Sequence, residues 1–310
     1  MESKQNNIAV SVCFLTHNHE NYIRKSLDCI LAQKVNFNYE IIIHDDASTD
    51  STTCIVREYA EKYPDIIVPI IQTENQYRKQ DILKTFVNPL VRGEYFALCE
   101  ADDYWPDEEK LQLQYDYMQS HPECAMCVHN TQYIDKEGTV LPQVFNEAGK
   151  DYDITPEEAI KDYGGILFHT SSYFCRSEVY KAMPAPFYIL NLYDYPIAIY
   201  MALCGPIHYI DRVMSRYRVG DPSSWTGQNF SEKRKRIEHN ELMTDFLKGL
   251  DEYTEGKYSE AFNARIKDYT YLSLLLDGKT GAILRDRDFR RRYLMNNIIR
   301  PVIRRIRNFI

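Results

Sequence analysis

Three acids stand within four residues at Glu100-Ala101-Asp102-Asp103, directly after the apolar run 95–99. Carboxylates this close repel one another and are costly to half-bury without a cation. A divalent ion that prefers oxygen ligands, Mn2+ or Mg2+, relieves the repulsion and can bridge to a diphosphate. The other use for such acids is a negative cap on a helix starting near Asp107, favoured by the helix dipole. A second cluster, Asp45-Asp46-Ala47-Ser48-Thr49-Asp50, also follows an apolar run. Asp50 or Ser51 suits the N-cap of the next helix, a role worth about 0.5–2 kcal/mol. Asp46 is better placed to accept hydrogen bonds from a nucleobase or ribose. Thr16-His17-Asn18 closes a third apolar run.

Short apolar runs alternate with amphipathic stretches through the first hundred residues. Strands are expected over 8–15, 39–44, 66–71 and 95–99. Ile23, Leu27, Ile30 and Leu31 fall on one face of a helix, and further helices are expected over 51–62 and 81–90. Repeated βα units imply a mainly parallel sheet with helices on both faces. Ligands of such sheets sit beyond the carboxyl ends of the strands, where all three polar clusters fall. Further on, the pattern predicts a helix over 107–119, strands over 124–135 and 166–176, a helix near 195–203 and a strand over 207–218. From residue 231 onward it is helical throughout.

The segments Val10-Ser11-Val12-Cys13-Phe14-Leu15-Thr16-His17-Asn18, then residues 40–52 around Asp45-Asp46-Ala47-Ser48, then Glu100-Ala101-Asp102-Asp103 resemble the three opening blocks of family 2 glycosyltransferases. The resemblance runs through residues 8–220 in order and spacing. It implies a GT-A fold: a Rossmann-like, mixed but mainly parallel sheet with helices on both faces, here with a C-terminal helical appendage. That places a GT-A domain over 1–230, its nucleotide-binding half at 1–120 and its acceptor half at 121–230, and a helical region over 231–310. The implied nucleotide set is Thr16, His17, Asn18, Asp46, Ser48 and Ala101. Glu100 and Asp102 would hold the metal, Mn2+ or Mg2+, with Asp103 toward the donor sugar. Tyr217 and Arg218, in a segment similar to the family's "YRxH" block, would face the diphosphate. Asp194 matches the second acid of the family's Glu-Asp motif and would be the general base. Its alternative use is to cap the helix that follows it.

This sequence also departs from the family text. Glu100 replaces Asp, Tyr193 replaces the first acid of the Glu-Asp pair, and Gly220 replaces a His. Those departures are the best support for a non-catalytic binding protein on the same fold. A sugar nucleotidyltransferase is the other rival, but Thr16 to Tyr22 lacks the glycine-rich loop that class places after its first strand. His169 either lines the acceptor pocket or bonds within the core. Trp225 is either part of a lid or a packed surface ring. The expected partners are a nucleotide-sugar donor, with UDP first among the nucleotides, and a saccharide or lipid-linked acceptor.

The chain carries a net charge of −8, yet residues 281–310 hold nine Arg against two Asp, which leaves the rest strongly acidic. That balance argues against a nucleic-acid face on the main domain. Leu294, Ile298, Val302, Ile306 and Ile310 repeat every four residues beside Arg300, Arg304, Arg305 and Arg307. Such a helix either lies in an anionic membrane interface or docks on protein. The polar N-terminus predicts no secretory signal, and no run reaches the roughly 18 apolar residues of a spanning helix. A cytoplasmic protein, peripheral on the inner face of the membrane if the tail binds lipid, is expected. The eight cysteines lie mostly inside apolar runs, as reduced core thiols do.

Overall fold

A computed structural model describes residues 7–162, 167–189, 192, 194–221, 224 and 232–296. The chain forms two compact units, residues 1–220 and 221–310. In the first, β1 (Ile8–Thr16), β2 (Asn38–Asp45), β3 (Ile67–Ile71) and β4 (Tyr95–Glu100) are parallel, in the order β3-β2-β1-β4. Their apolar runs suit a sheet covered on both faces, and Val10, Val12, Phe14, Ile41, Ile43 and Ala97 are fully buried. α1 (Ile23–Leu31) joins β1 to β2 and buries Ile23, Leu27 and Ile30, the face its spacing predicts. α2 (Thr52–Lys62) joins β2 to β3.

The sheet continues through β5 (Met126–Ile134), β6 (Val140–Val144), β7 (Tyr152–Ile154), β8 (Phe174–Arg176) and β9 (Ile207–Arg218). Its order is β3-β2-β1-β4-β8-β5-β9-β7, with β6 paired to β5. β8 is antiparallel to both β4 and β5, whereas β9 is parallel to β5. The result is the mixed α/β sheet with a parallel core that the sequence predicts. α3 (Lys110–Ser120), α4 (Pro156–Lys161), α5 (Ser177–Lys181) and α6 (Asp194–Cys204) complete the unit among the described residues.

Toward the amino ends of the strands, the buried Glu40 carboxylate accepts from Ser11 Oγ at 2.6 Å and from Arg92 Nε at 2.7 Å. Gly93 N–H donates to the same Ser11 hydroxyl at 2.9 Å, and a Cβ at Gly93 would stand 2.5 Å from Ser11 N. Only glycine lets the chain enter β4 this closely. This charge cluster lies at the strand ends away from the acidic turn and serves the fold.

Two predicted elements differ. The helix over 81–90 is a π turn (Leu83–Val87) followed by a 3-10 turn (Asn88–Leu90), because Pro89 supplies no N–H to continue an α ladder. The strand over 166–176 shortens to Phe174–Arg176, preceded by a 3-10 turn (Thr170–Ser172). There Ser172 Oγ donates to His169 O at 2.6 Å and Ser171 N–H to His169 Nδ1 at 3.2 Å, local bonds that compete with a sheet ladder.

In the second unit α7 (Lys233–Tyr253) and α8 (Ser259–Leu276) pack as a helical hairpin around Met243, Leu247, Leu250 and Phe262. α9 (Thr280–Arg285) and α10 (Arg287–Leu294) follow, with Asp286 capping α10 through Phe289 N–H at 2.9 Å. The tail positions Ile298 to Ile310, together with Tyr193 and Trp225, lie outside the described residues.

Candidate active site

The last two carbonyls of β1 hold both acidic segments. Leu15 O accepts from Ala101 N–H at 2.9 Å, and Thr16 O accepts from Asp46 N–H at 3.0 Å. The carboxyl ends of β1, β2 and β4 therefore converge, as parallel topology requires of a ligand crevice.

The loops after β1 and β2 are stitched together. His17 Nδ1–H donates to Asp46 O at 2.9 Å, Asn18 N–H to Ser48 Oγ at 2.9 Å, and Thr49 N–H to Asn18 Oδ1 at 2.7 Å. Asn18 and Ala47 take left-handed backbone angles, with φ of 56° and 58°. Asparagine tolerates this conformation and alanine strains at it, so the geometry is imposed by these contacts. Asp45 is fully buried and accepts from Ser48 N–H, Ser48 Oγ and Thr53 Oγ1. It is a loop anchor. Asp50 Oδ1 accepts from Thr52 N–H at 2.9 Å and so caps α2, while Ser51 makes no capping bond.

The buried Asp46 carboxylate takes Gln76 N–H at 2.6 Å on one oxygen and Tyr77 N–H at 3.0 Å on the other. This loop beyond β3 carries no motif that would have flagged it. Each carboxylate oxygen keeps capacity for a second donor. Thr16, buried beside it, sits with Oγ1 3.4 Å from His19 Nδ1.

In the acidic turn, Glu100 and Asp102 are half-buried, whereas Ala101 and Asp103 are buried. Asp103 N–H closes the turn onto Glu100 O at 3.0 Å. Asp103 Oδ1 accepts from Arg218 N–H at 3.1 Å; Oδ2 makes no hydrogen bond among the described residues, with His169 Nδ1 3.5 Å away. Burial, then the charges of Asp102 and Glu100, holds the Asp103 carboxyl well above the ordinary range. Burial pushes the His169 imidazole down to about 3, so it is neutral and leaves Asp103 without a charged partner there.

Arg218 is drawn into this turn. Its Nε donates to Asp102 O at 3.1 Å, and its Nη1 to Asp135 O and Lys136 O at 3.1 and 3.0 Å. Its guanidinium lies over the Tyr22 ring, 4.1 Å from the centroid. The buried guanidinium thus meets backbone carbonyls of the turn and of the β5–β6 loop. Tyr217 packs its ring 4.1 Å from His169. One residue earlier, Arg216 and Tyr104 exchange backbone bonds, which fastens the acidic turn to β9.

Below the turn, Trp105 Nε1–H donates to Ser171 O at 2.9 Å, and Lys110 Nζ lies 3.9 Å from the Trp105 ring. Lys110 also donates to Gln114 Oε1 at 2.8 Å, and Gln114 Nε2 reaches Cys127 O and Ser172 O. Burial drives the Lys110 ammonium down to about 7. The sequence places Lys110 on an ordinary helix and offers no sign of this pedestal.

Asp194 opens α6 and is exposed; its Oδ1 accepts from Tyr195 N–H at 2.8 Å and its carbonyl from Tyr173 OH at 2.9 Å. Surrounding protein nonetheless raises its carboxyl above the usual range, which makes it a stronger base than a free aspartate. An open cleft of about 460 Å³ near Arg216 is lined by Asp107, Glu108 and Glu109, but Asp107 and Glu109 pair with Arg212 and Glu108 with Lys34, so each acid already has a cationic partner.

No three metal-ligating side chains gather into a closed site among the described residues. A hard ion on a diphosphate needs fewer, because one or two carboxylates complete a shell supplied largely by phosphate and water. Glu100 and Asp102 are of that type, and both are half-buried at the edge of the turn. The donor set fits such an ion.

Residues 11–180 match the family model for glycosyl transferase family 2. An uncharacterized protein of Mycobacterium tuberculosis is 32% identical over 234 residues, covering 73% of this chain and 63% of that protein; this chain thus accounts for under two thirds of its relative's length. A poly(ribitol-phosphate) beta-glucosyltransferase of Bacillus spizizenii is 28% identical over 160 residues, half of this chain and 24% of that enzyme. Among solved structures, Staphylococcus aureus TarS 1–349 in complex with UDP-GlcNAc superposes with a TM-score of 0.60 at 15% identity, over 89% of this chain and 76% of that one. A mannosyltransferase of Pyrobaculum calidifontis in complex with GDP-Man and Mn2+ gives 0.54 at 16% identity, over 92% and 83%. At such identities the likeness is one of fold.

Proposed function

Because this chain belongs to glycosyl transferase family 2, we propose that it moves a sugar from a nucleotide-diphosphate donor, UDP-linked in the first instance, to a hydroxyl of a saccharide or lipid-linked acceptor. The observation that carries this reading is the anchoring of Asp46 and Ala101 on consecutive carbonyls of β1. It brings a buried acceptor for a base or ribose beside a turn of three acids. Surface-polymer synthesis is the setting favoured by the poly(ribitol-phosphate) relative.

Glu100 and Asp102 would hold Mn2+ or Mg2+, whose Lewis acidity neutralises charge on the diphosphate when bound. The chain's own residues do the rest. Asp46, Thr16 and the stitched loop of His17, Asn18 and Ser48 orient the nucleoside. Arg218 stiffens the acidic turn from behind, while Tyr217 borders it. Asp194 takes the proton from the acceptor hydroxyl as that oxygen attacks the anomeric carbon and the nucleoside diphosphate leaves from the opposite face. One displacement inverts the centre, and no covalent sugar–enzyme intermediate forms.

A donor screen with Mn2+, following nucleoside diphosphate release, tests the activity. Release from one sugar nucleotide, abolished by EDTA, is expected. No turnover or binding with any sugar nucleotide would overturn the transferase reading in favour of a binding protein on this fold.

A membrane contact is part of the proposal. α10 exposes Arg287, Arg290 and Arg291 beside the exposed Leu294 and Met295, a basic and apolar face suited to anionic lipid. No helix among the described residues is long and apolar enough to cross a membrane. Full-length protein should float with vesicles containing phosphatidylglycerol, and a version ending at Asn296 should float less. Equal flotation would remove the contribution of the tail.

A further inference from the structure

The acidic turn is bordered by a continuous aromatic surface. Tyr133 and Tyr217 are register partners on the parallel strands β5 and β9, so their side chains share one face of the sheet. Phe145 stacks on Tyr133 with centroids 4.7 Å apart and planes at 11°, and meets Tyr217 edge-on at 5.7 Å. His169 lies 4.1 Å from Tyr217 and 5.2 Å from Phe145. The same His169 stands 3.5 Å from Asp103 Oδ2, the buried carboxylate oxygen that makes no hydrogen bond among the described residues. Rings and carboxylate therefore form one connected wall. Tyr133 and Tyr217 stay half-buried, so the wall reaches the surface.

Half-buried rings beside an acidic turn have a specific chemical complement. A pyranose presents a patch of C–H groups on one face and hydroxyl donors at its rim. The C–H patch packs on aromatic faces, while the rim hydroxyls stay free to bond to water and to the polar groups of the turn. A nucleobase could also stack here, but the strand order puts two strands, β4 and β8, between this wall and the loop of β1 that flanks Asp46. The wall lies on the far side of the acidic turn from those loops.

Resting on the transferase reading above, we infer that the half-buried Tyr133 and Tyr217, backed by Phe145 and His169, form the platform on which the pyranose ring of the acceptor saccharide stacks, beside the acidic turn. Tyr133 is then a specificity-determining residue. Neutral rings serve this purpose best, and His169 is neutral across the working range.

The test uses the full chain with UDP and Mn2+ and a panel of methyl pyranosides of gluco, galacto, manno and N-acetylgluco configuration, read by saturation-transfer NMR. At least one pyranoside should receive saturation on its ring C–H protons and show cross-peaks to tyrosine ring protons. Tyr133→Phe should keep its affinity within about threefold, whereas Tyr133→Leu, apolar but without a ring face, should lose about five- to tenfold. Thermal unfolding checks that each variant is folded. Equal affinity in Tyr133→Leu, or UDP binding without any pyranoside binding, overturns the platform. Weaker UDP-sugar binding in Tyr133→Leu with unchanged pyranoside binding assigns the wall to the donor and overturns it as an acceptor site. Should Tyr133→Leu fail to fold, absence of the cross-peaks in the wild type does the same. Pyranoside binding by a protein that binds no nucleotide would instead sink the transferase reading and leave the platform standing.

Discussion

Arg218 and Asp103, 115 residues apart, meet through a 3.1 Å hydrogen bond from the Arg218 backbone N–H to Asp103 Oδ1. The side chain of the same arginine spans Asp102 O, Asp135 O and Lys136 O. One residue thus joins the acidic turn, the end of β9 and the β5–β6 hairpin.

Arg218→Met keeps the backbone bond and deletes the three side-chain ones, taking the donor from three partly buried carbonyl contacts. Urea unfolding should show a loss of about 2–4 kcal/mol. Arg218→Lys should recover little, because an ammonium lacks the planar fork that spans the three carbonyls. An unchanged midpoint would mean that the clamp carries no stability.

Asp102→Asn keeps the shape of the turn and removes a charge from the expected ion site. Turnover should fall by about a hundredfold or more, with the unfolding midpoint little changed. Glu100→Gln should cost less, because its longer side chain can serve the ion through a water that an amide oxygen still holds. Full metal-dependent activity in Asp102→Asn would refute the assignment of that ligand.

Asp194→Asn tests the base. Turnover should drop by about two to four orders of magnitude, while the affinity for UDP, measured by calorimetry, holds. A base works only when deprotonated, and the Asp194 carboxyl is raised by its surroundings. The wild-type rate should therefore decline on the acid side at a higher pH than an ordinary aspartate would dictate. In the variant, that limb should vanish from the residual activity. Weakened donor binding with normal turnover would move Asp194 out of catalysis.

Lys110 makes the stability depend on pH. Its folded value is about 7 against an ordinary 10.5, so between these values the unfolded chain binds the extra proton. Its contribution is favourable above pH 10.5 and is lost as pH falls toward 7. Lys110→Met should thus stabilise the protein more at pH 6.5 than at pH 9.5, by roughly 1–3 kcal/mol after the unpaired Gln114 is allowed for. A ΔΔG that does not vary with pH would contradict the burial of a titrating ammonium.

Much of the fold can be read in local pattern. β1, β2, β3 and β4 are apolar runs whose burial is continuous, and α1 shows its inner face in the spacing of Ile23, Leu27 and Ile30. The second half is less legible. β7 has three residues, and β8 hides inside a Ser-rich stretch that turns first. Such pieces are held by neighbours rather than by their own periodicity. In the site, Glu100, Asp102 and Asp46 were visible because acids after apolar strands are conspicuous. The Gln76–Tyr77 loop, the Trp105–Lys110 pedestal and the Tyr133–Phe145 stack carry no such mark.

For β1 to β4, the sequence alone determined that the strands are buried, about where they end and which acids stand at those ends, since these depend on hydrophobicity and spacing along the chain. Only the tertiary structure decided how each polar group is used. Asp45 became a loop anchor and Asp46 a backbone-bound acceptor, although they are adjacent and chemically identical. Arg218 turned inward and Asp103 lost its solvent because β9 crosses behind the acidic turn. Desolvation and hydrogen-bond partners are set by residues distant in the chain, and no local pattern encodes them.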